Sequence, residues 1–236
     1  MPDKEFQNII EDAINHLFRN PTREDNARNG KYKRAFEKFA ESGWIPPYSL
    51  DLSIPDIVEL SNRDAQWIDD YIYSLFTAKH YQKSKLLIKR LKKYRYDNPR
   101  YYTCAMILYC KKEYMGCCMM ICALIEQTLV HAVGSKGSVS SQAKKSVEKA
   151  YENKQTSFGG YGKSPTEYLM IKPLEKVLGA YFKSCEKEPP NINRNFLMHG
   201  TAKEKYDHRD CVKLFVILDF LGKLVWEENN DAKPTS

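Results

Sequence analysis

The stretch from Tyr114 to Val133 is apolar on nearly every side of a helix, and Glu126 is its first acid. A helix with no polar face cannot lie on a surface and must sit in the middle of a bundle. Glu126, if buried there, needs a partner to offset its desolvation. Around it the apolar positions recur at helical rather than alternating spacing, and there are only 11 Gly and 11 Pro in 236 residues. The pattern therefore predicts an all-α fold, a helical bundle, over any sheet-based one.

Organisation follows from the helix stops. Residues 3–20 read as an amphipathic helix, and a second over 23–41 ends at Ser42 and Gly43, before the extended turn at Trp44 to Pro47. A short helix around Ile57 takes Ser53 as cap with Pro55 in its first turn. Trp67, Ile68, Tyr71, Ile72, Leu75 and Phe76 then recur at helical intervals. Asp97, Asn98 and Pro99 punctuate the chain, which places an N-terminal helical region at 1–98 and a C-terminal helical bundle at 99–228, with a disordered tail at 229–236. In the second part, helices are expected over 100–112 and 114–133, a short polar helix over 142–152, and a helix over 166–183 kinked at Pro173. Loops are expected at 134–141 and 156–165. Asn191, Ile192 and Asn193 start a short helix that Gly200 ends, a polar loop covers 201–209, and the last long helix spans 210–227.

The formal net charge is +7, and its distribution says more than its total. Between Lys79 and Arg100 lie nine Lys or Arg residues against one acid, Asp97, with Tyr81, Tyr94 and Tyr96 interleaved. Lys83, Lys85, Lys89, Arg90, Lys92, Lys93 and Arg95 are the candidate RNA-binding residues of this segment. The other reading is a solvated helix face whose Leu86, Leu87 and Leu91 dock on a core. The seven Cys show no C-x-x-C spacing and read as small core residues in a reducing compartment. No signal-like segment follows Met1, and the apolar run from Cys117 to Ile125 is too short to span a bilayer, so a cytoplasmic protein without membrane contact is expected.

Chemistry concentrates at Arg194, Asn195 and His199. An Arg carries a permanent planar charge matched to phosphate oxygens. A His takes and gives protons near neutrality. Four residues apart, Asn195 and His199 share a helix face, whereas Arg194 lies about 140° around from His199. Arg194 then acts from the first helical turn, where free backbone donors also favour an anion. The structural alternative is that Arg194 pairs with an acid such as Glu126, while His199 closes a helix C-terminus.

The run from Arg194 to His199 resembles the R-N-x-x-x-H signature of HEPN-domain proteins, and the resemblance extends from about Arg100 to Glu227. It implies a helical bundle that commonly dimerises with two motifs facing one cleft. It also implies metal-independent endoribonuclease activity, needing no cofactor, in toxin, phage-defence or RNA-processing systems. By this resemblance His199 is the general acid or base, Arg194 binds phosphate, Asn195 orients the site, and Glu126 is the polar residue of the upstream helix. RNA, a second copy of the chain and a regulatory protein are the implied partners. The rival expectation is a noncatalytic helical module that binds nucleotide, RNA or protein.

Other signals lead nowhere. Gly162, Lys163 and Ser164 lack the upstream Gly of a phosphate-binding loop, since position 157 is Ser157. His16, His80 and His131 are too scattered for a metal site, and His208 reads as a surface residue of the loop after the motif.

Overall fold

The computed structural model describes residues 31, 34–45, 54–94, 96–133, 177–178, 192–202 and 205–226. Of the interpretable residues 78% are helical and none lies in a strand, so the protein is all-α. The helices expected over 3–20 and 142–152, nearly all of 166–183, the loops at 134–141 and 156–165 and the tail lie outside the described residues.

Helical residues 34–41 end where Gly43 takes a positive φ of 79°. The chain continues into α1 (Ile54–Leu60), α2 (Ala65–Leu91), α3 (Pro99–Cys110), α4 (Tyr114–Val133), α5 (Arg194–Met198) and α6 (His208–Trp226). Local chemistry sets several ends. Asp64 caps α2 by accepting from the Trp67 N–H at 2.8 Å. Asn98 caps α3, with Pro99 in the position where a missing N–H costs nothing. Between α3 and α4, Lys112 adopts a φ of 63°, while the Glu113 and Lys112 N–H groups bond back to the Leu108 and Tyr109 carbonyls. That is a Schellman ending with Lys where Gly is usual.

The centre of the bundle is shared by α4 and α6, of which α6 is the more completely buried. Residues 211–222 of α6 are buried without interruption, whereas Met119, Met120, Ala123 and Glu126 of α4 are only half-buried. Among the described elements α6 packs on α2 and α4, while α4 packs on α3, α6 and the short α5. Length and composition alone would let Tyr114 to His131 cross a membrane. Its packing against α3 and α6 accounts for the same apolarity.

Burial of α6 requires that its charges be met. Asp219, 3% exposed, accepts two hydrogen bonds from the Arg90 guanidinium and one from the Tyr94 hydroxyl at 2.9 Å. Tyr94 reaches it because Gly222 leaves room, since a Cβ there would come within 2.5 Å of the ring. Lys213, 8% exposed, meets Asp69 at 3.0 Å and the Ser42 carbonyl at 3.2 Å. Arg209 joins the same group through Asp69 at 3.1 Å and Asp70 at 2.7 Å.

These anchors fold α2 back on itself. Ala78 leaves the helix, and Lys79, His80 and Tyr81 take left-handed φ values of 50°, 54° and 63°. The Ser84 hydroxyl then donates to the Phe76 carbonyl at 2.9 Å. In a straight helix those positions would be about 12 Å apart along the axis. Ile68, Ile72 and Phe76 are buried from the first half, and Leu87 and Leu91 from the second. Leu86, expected to dock with them, points outward and is 58% exposed. One buried core includes residues from both sides of the expected 98/99 boundary, among them Phe76, Leu91, Ile121 and Phe215.

Breaking a buried charge pair costs about 3–5 kcal/mol because it strands the remaining charge. Arg90→Met is therefore expected to lower unfolding stability in urea by about that amount. Adding Asp219→Leu to Arg90→Met should restore most of the loss. A double mutant no more stable than Arg90→Met would show that Asp219 is not the charge being stranded.

Candidate functional site

A helix of five residues does not hold itself together, so α5 is made by its ends and by one buried face. The Asn193 side chain, wholly buried, accepts from the Asn195 and Phe196 N–H groups at 2.9 and 3.4 Å. At the other end Gly200 has a φ of 67°, and the Gly200 and Thr201 N–H groups return to the Leu197 and Phe196 carbonyls. Ile192 and Leu197 are buried and fix this short element in the core, where it packs on α4.

The N-terminal cap sets Arg194 as the first helical residue. Its guanidinium reaches Glu126 of α4 at 2.7 Å and the Asn195 side-chain oxygen at 3.2 Å. The Arg194 and Glu126 side chains keep 21% and 22% of their surface exposed, so solvent reaches this pair. One turn earlier on α4, burial and the Glu126 charge push the Cys122 thiol up to about 12. It is a packing residue and not a nucleophile.

His199 is the C-terminal cap of α5 and is exposed. Its ring has no hydrogen-bond partner among the described residues. The structure thus brings Glu126, Arg194 and Asn195 together and leaves His199 at the other end of the same helix. Five residues of rise separate Arg194 from His199, about 7.5 Å.

The basic segment divides. Lys85, Lys89, Lys92 and Lys93 are exposed, and Lys83 is half-buried. Arg90 is engaged by Asp219, and Arg95 lies outside the described residues. Of the interleaved tyrosines, Tyr94 bonds Asp219 and Tyr96 is buried with its hydroxyl on the Leu91 carbonyl at 3.0 Å. Only Tyr81 keeps an exposed ring, at 46%. Among the described residues no group of three His, Cys, Asp or Glu side chains is placed to hold a metal ion.

His208 is the residue that sequence reasoning placed wrongly. It begins α6 and is half-buried, not a loop residue at the surface. Tyr73 and Tyr109 bond its two ring nitrogens, at 3.0 Å to Nδ1 and 2.5 Å to Nε2. Tyr81 and Tyr114 set their rings edge-on to it. These partners come from three other helices, at separations in the chain that carry no local signal.

No family model, no curated protein and no solved structure matches the chain.

The cap is the cheapest test of this construction. Asn193→Ala is expected to lower stability by about 1–2 kcal/mol, at the upper end of N-cap losses because the site is buried. Asn193→Asp should recover part of it. Urea unfolding checks both, and an unchanged midpoint in Asn193→Ala would show that α5 does not depend on its cap.

Proposed function

We propose that the protein is an endoribonuclease that cleaves RNA by internal attack of the ribose 2′-hydroxyl. The supporting observation is the fixed Arg194, held by Glu126 and Asn195 at the start of a helix whose far end exposes His199. Arg194 faces the phosphate and offsets charge developing on its oxygens. His199 takes the 2′ proton or supplies one to the departing 5′-oxygen. The P–O2′ bond forms as the P–O5′ bond breaks, which leaves a 2′,3′-cyclic phosphate and a free 5′-hydroxyl. Such proton transfer is worth about 10² to 10⁴ in rate.

One chain exposes one His199, and the reaction needs both an acid and a base. In this reading the site is half of a homodimeric cleft, and a second copy of the chain supplies the other proton-transferring group. The exposed lysines 85, 89, 92 and 93 add a polyanion-binding face to hold the RNA strand.

A second reading is a noncatalytic binding module, favoured by the same ion pair. Arg194 bound to Glu126 and an exposed His199 at the C-terminal cap also describe a structural lock and a helix end.

Purified protein incubated with single-stranded RNA in EDTA separates the two. The enzyme reading expects 2′,3′-cyclic phosphate ends, reduced at least about 10²-fold in His199→Ala and in Arg194→Ala. Cleavage that persists in both folded variants removes the site assignment. A folded protein that binds RNA and cuts no RNA pool is the binding module. Sedimentation that shows only monomer at micromolar concentration removes the shared cleft.

A further inference from the structure

The corner at Lys79, His80 and Tyr81 is held against its own backbone preference. For residues other than Gly the left-handed region costs about 1–2 kcal/mol each, and three in succession do not persist unless the surroundings impose them. Two contacts do so directly: Ser84 on the Phe76 carbonyl, and the Tyr81 ring against His208 with centroids 5.2 Å apart.

His208 is the common member of the aromatic group that receives Tyr81. A neutral imidazole has one donor nitrogen and one acceptor nitrogen. With Tyr73 on Nδ1 and Tyr109 on Nε2, one hydroxyl accepts and the other donates. An imidazolium has two donors and no acceptor, so the hydroxyl that donated must rotate its hydrogen away from the ring and accept instead. The added charge would also sit half-buried among the rings of Tyr73, Tyr81, Tyr109 and Tyr114.

The charged groups nearby do not reverse this. Asp207, adjoining in the chain, favours the charged form, but burial outweighs it and lowers the tendency of His208 to take a proton. Arg209 adds positive charge, stacked over the Tyr73 ring at 4.5 Å, and is itself paired with Asp69 and Asp70. Asp210 bonds the Asp207 N–H at 2.9 Å, and burial holds its carboxyl above the usual range. From α2, α3 and α4 the groups that face the ring are tyrosines.

We propose that His208 is a pH-sensitive latch, which holds the strained corner of α2 closed while neutral and releases it on protonation. Release frees Tyr81 and lets the corner relax, ahead of the exposed lysines that follow it. This inference does not depend on the ribonuclease reading. The sign follows from the lowered proton affinity of the folded state: the latch is fully closed above the ordinary imidazole value of 6.5 and opens as pH falls below it.

Hydrogen exchange of the full chain at pH 7.5 and 5.5, corrected for intrinsic rates, tests the latch. Amides of residues 78–86 are expected to exchange several-fold faster at pH 5.5, while α6 amides stay protected. His208→Gln, which cannot titrate, should remove this pH dependence. Tyr73→Phe, a milder change, should raise exchange of the corner at pH 7.5. Equal corrected rates at both pH values in the wild type would overturn the proposal. So would a pH dependence retained in His208→Gln, or α6 opening together with the corner. An NMR titration midpoint for His208 at or above 6.5 would also sink it.

Discussion

The structure depends on how α6 disposes of two charges. Lys213 and Asp219 are buried in the central helix, and each is met from α2: Lys213 by Asp69 in its first half, Asp219 by Arg90 in its second. On α6 the two positions are six residues apart, about 9 Å along the axis. On α2 their partners are 21 residues apart, which in a straight helix would be about 31 Å. Both pairs cannot form unless α2 folds back. The reversal of α2 around Lys79 to Tyr81 is thus a geometric consequence of satisfying two buried charges on one helix, whatever backbone the corner itself adopts.

Such pairs specify more than they stabilise, because desolvation consumes most of their attraction. What they prevent is every other placement of α2, since a slipped register would bury Asp219 or Lys213 alone. With α2 fixed on one side of α6, α4 occupies another and carries Glu126 to Arg194. The candidate site is built outward from there. A five-residue helix, a buried Asn193 and a Gly200 at positive φ suffice to present Arg194 and His199, because the packing beneath α5 is already set.

Much of this was legible where the signal is local. Asn98 with Pro99, and Asn193 with Gly200, mark helix ends in the chain and do so in the structure, because caps act within a few residues of themselves. Glu126 on an apolar helix announced a need for a partner, and Arg194 meets it. Arg90 was not legible. In a run of Lys and Arg nothing distinguishes the one whose partner lies 129 residues away. Nor was Leu86 separable from Leu87, since one step around a helix decides burial and the corner at 78–81 resets the phase.

By itself the amino-acid sequence determined that the protein is helical, where several helices begin and end, and that an Arg and a His stand five residues apart near a helix start. These follow from periodicity and short-range hydrogen bonding, which the chain carries wherever it goes. Only the tertiary structure decided that α6 is the most completely buried helix, that α2 doubles back, and that His208 sits among tyrosines from three other helices. Each of those depends on which distant groups meet when charge and apolar surface leave water together. That balance is settled across the whole core and not along the chain.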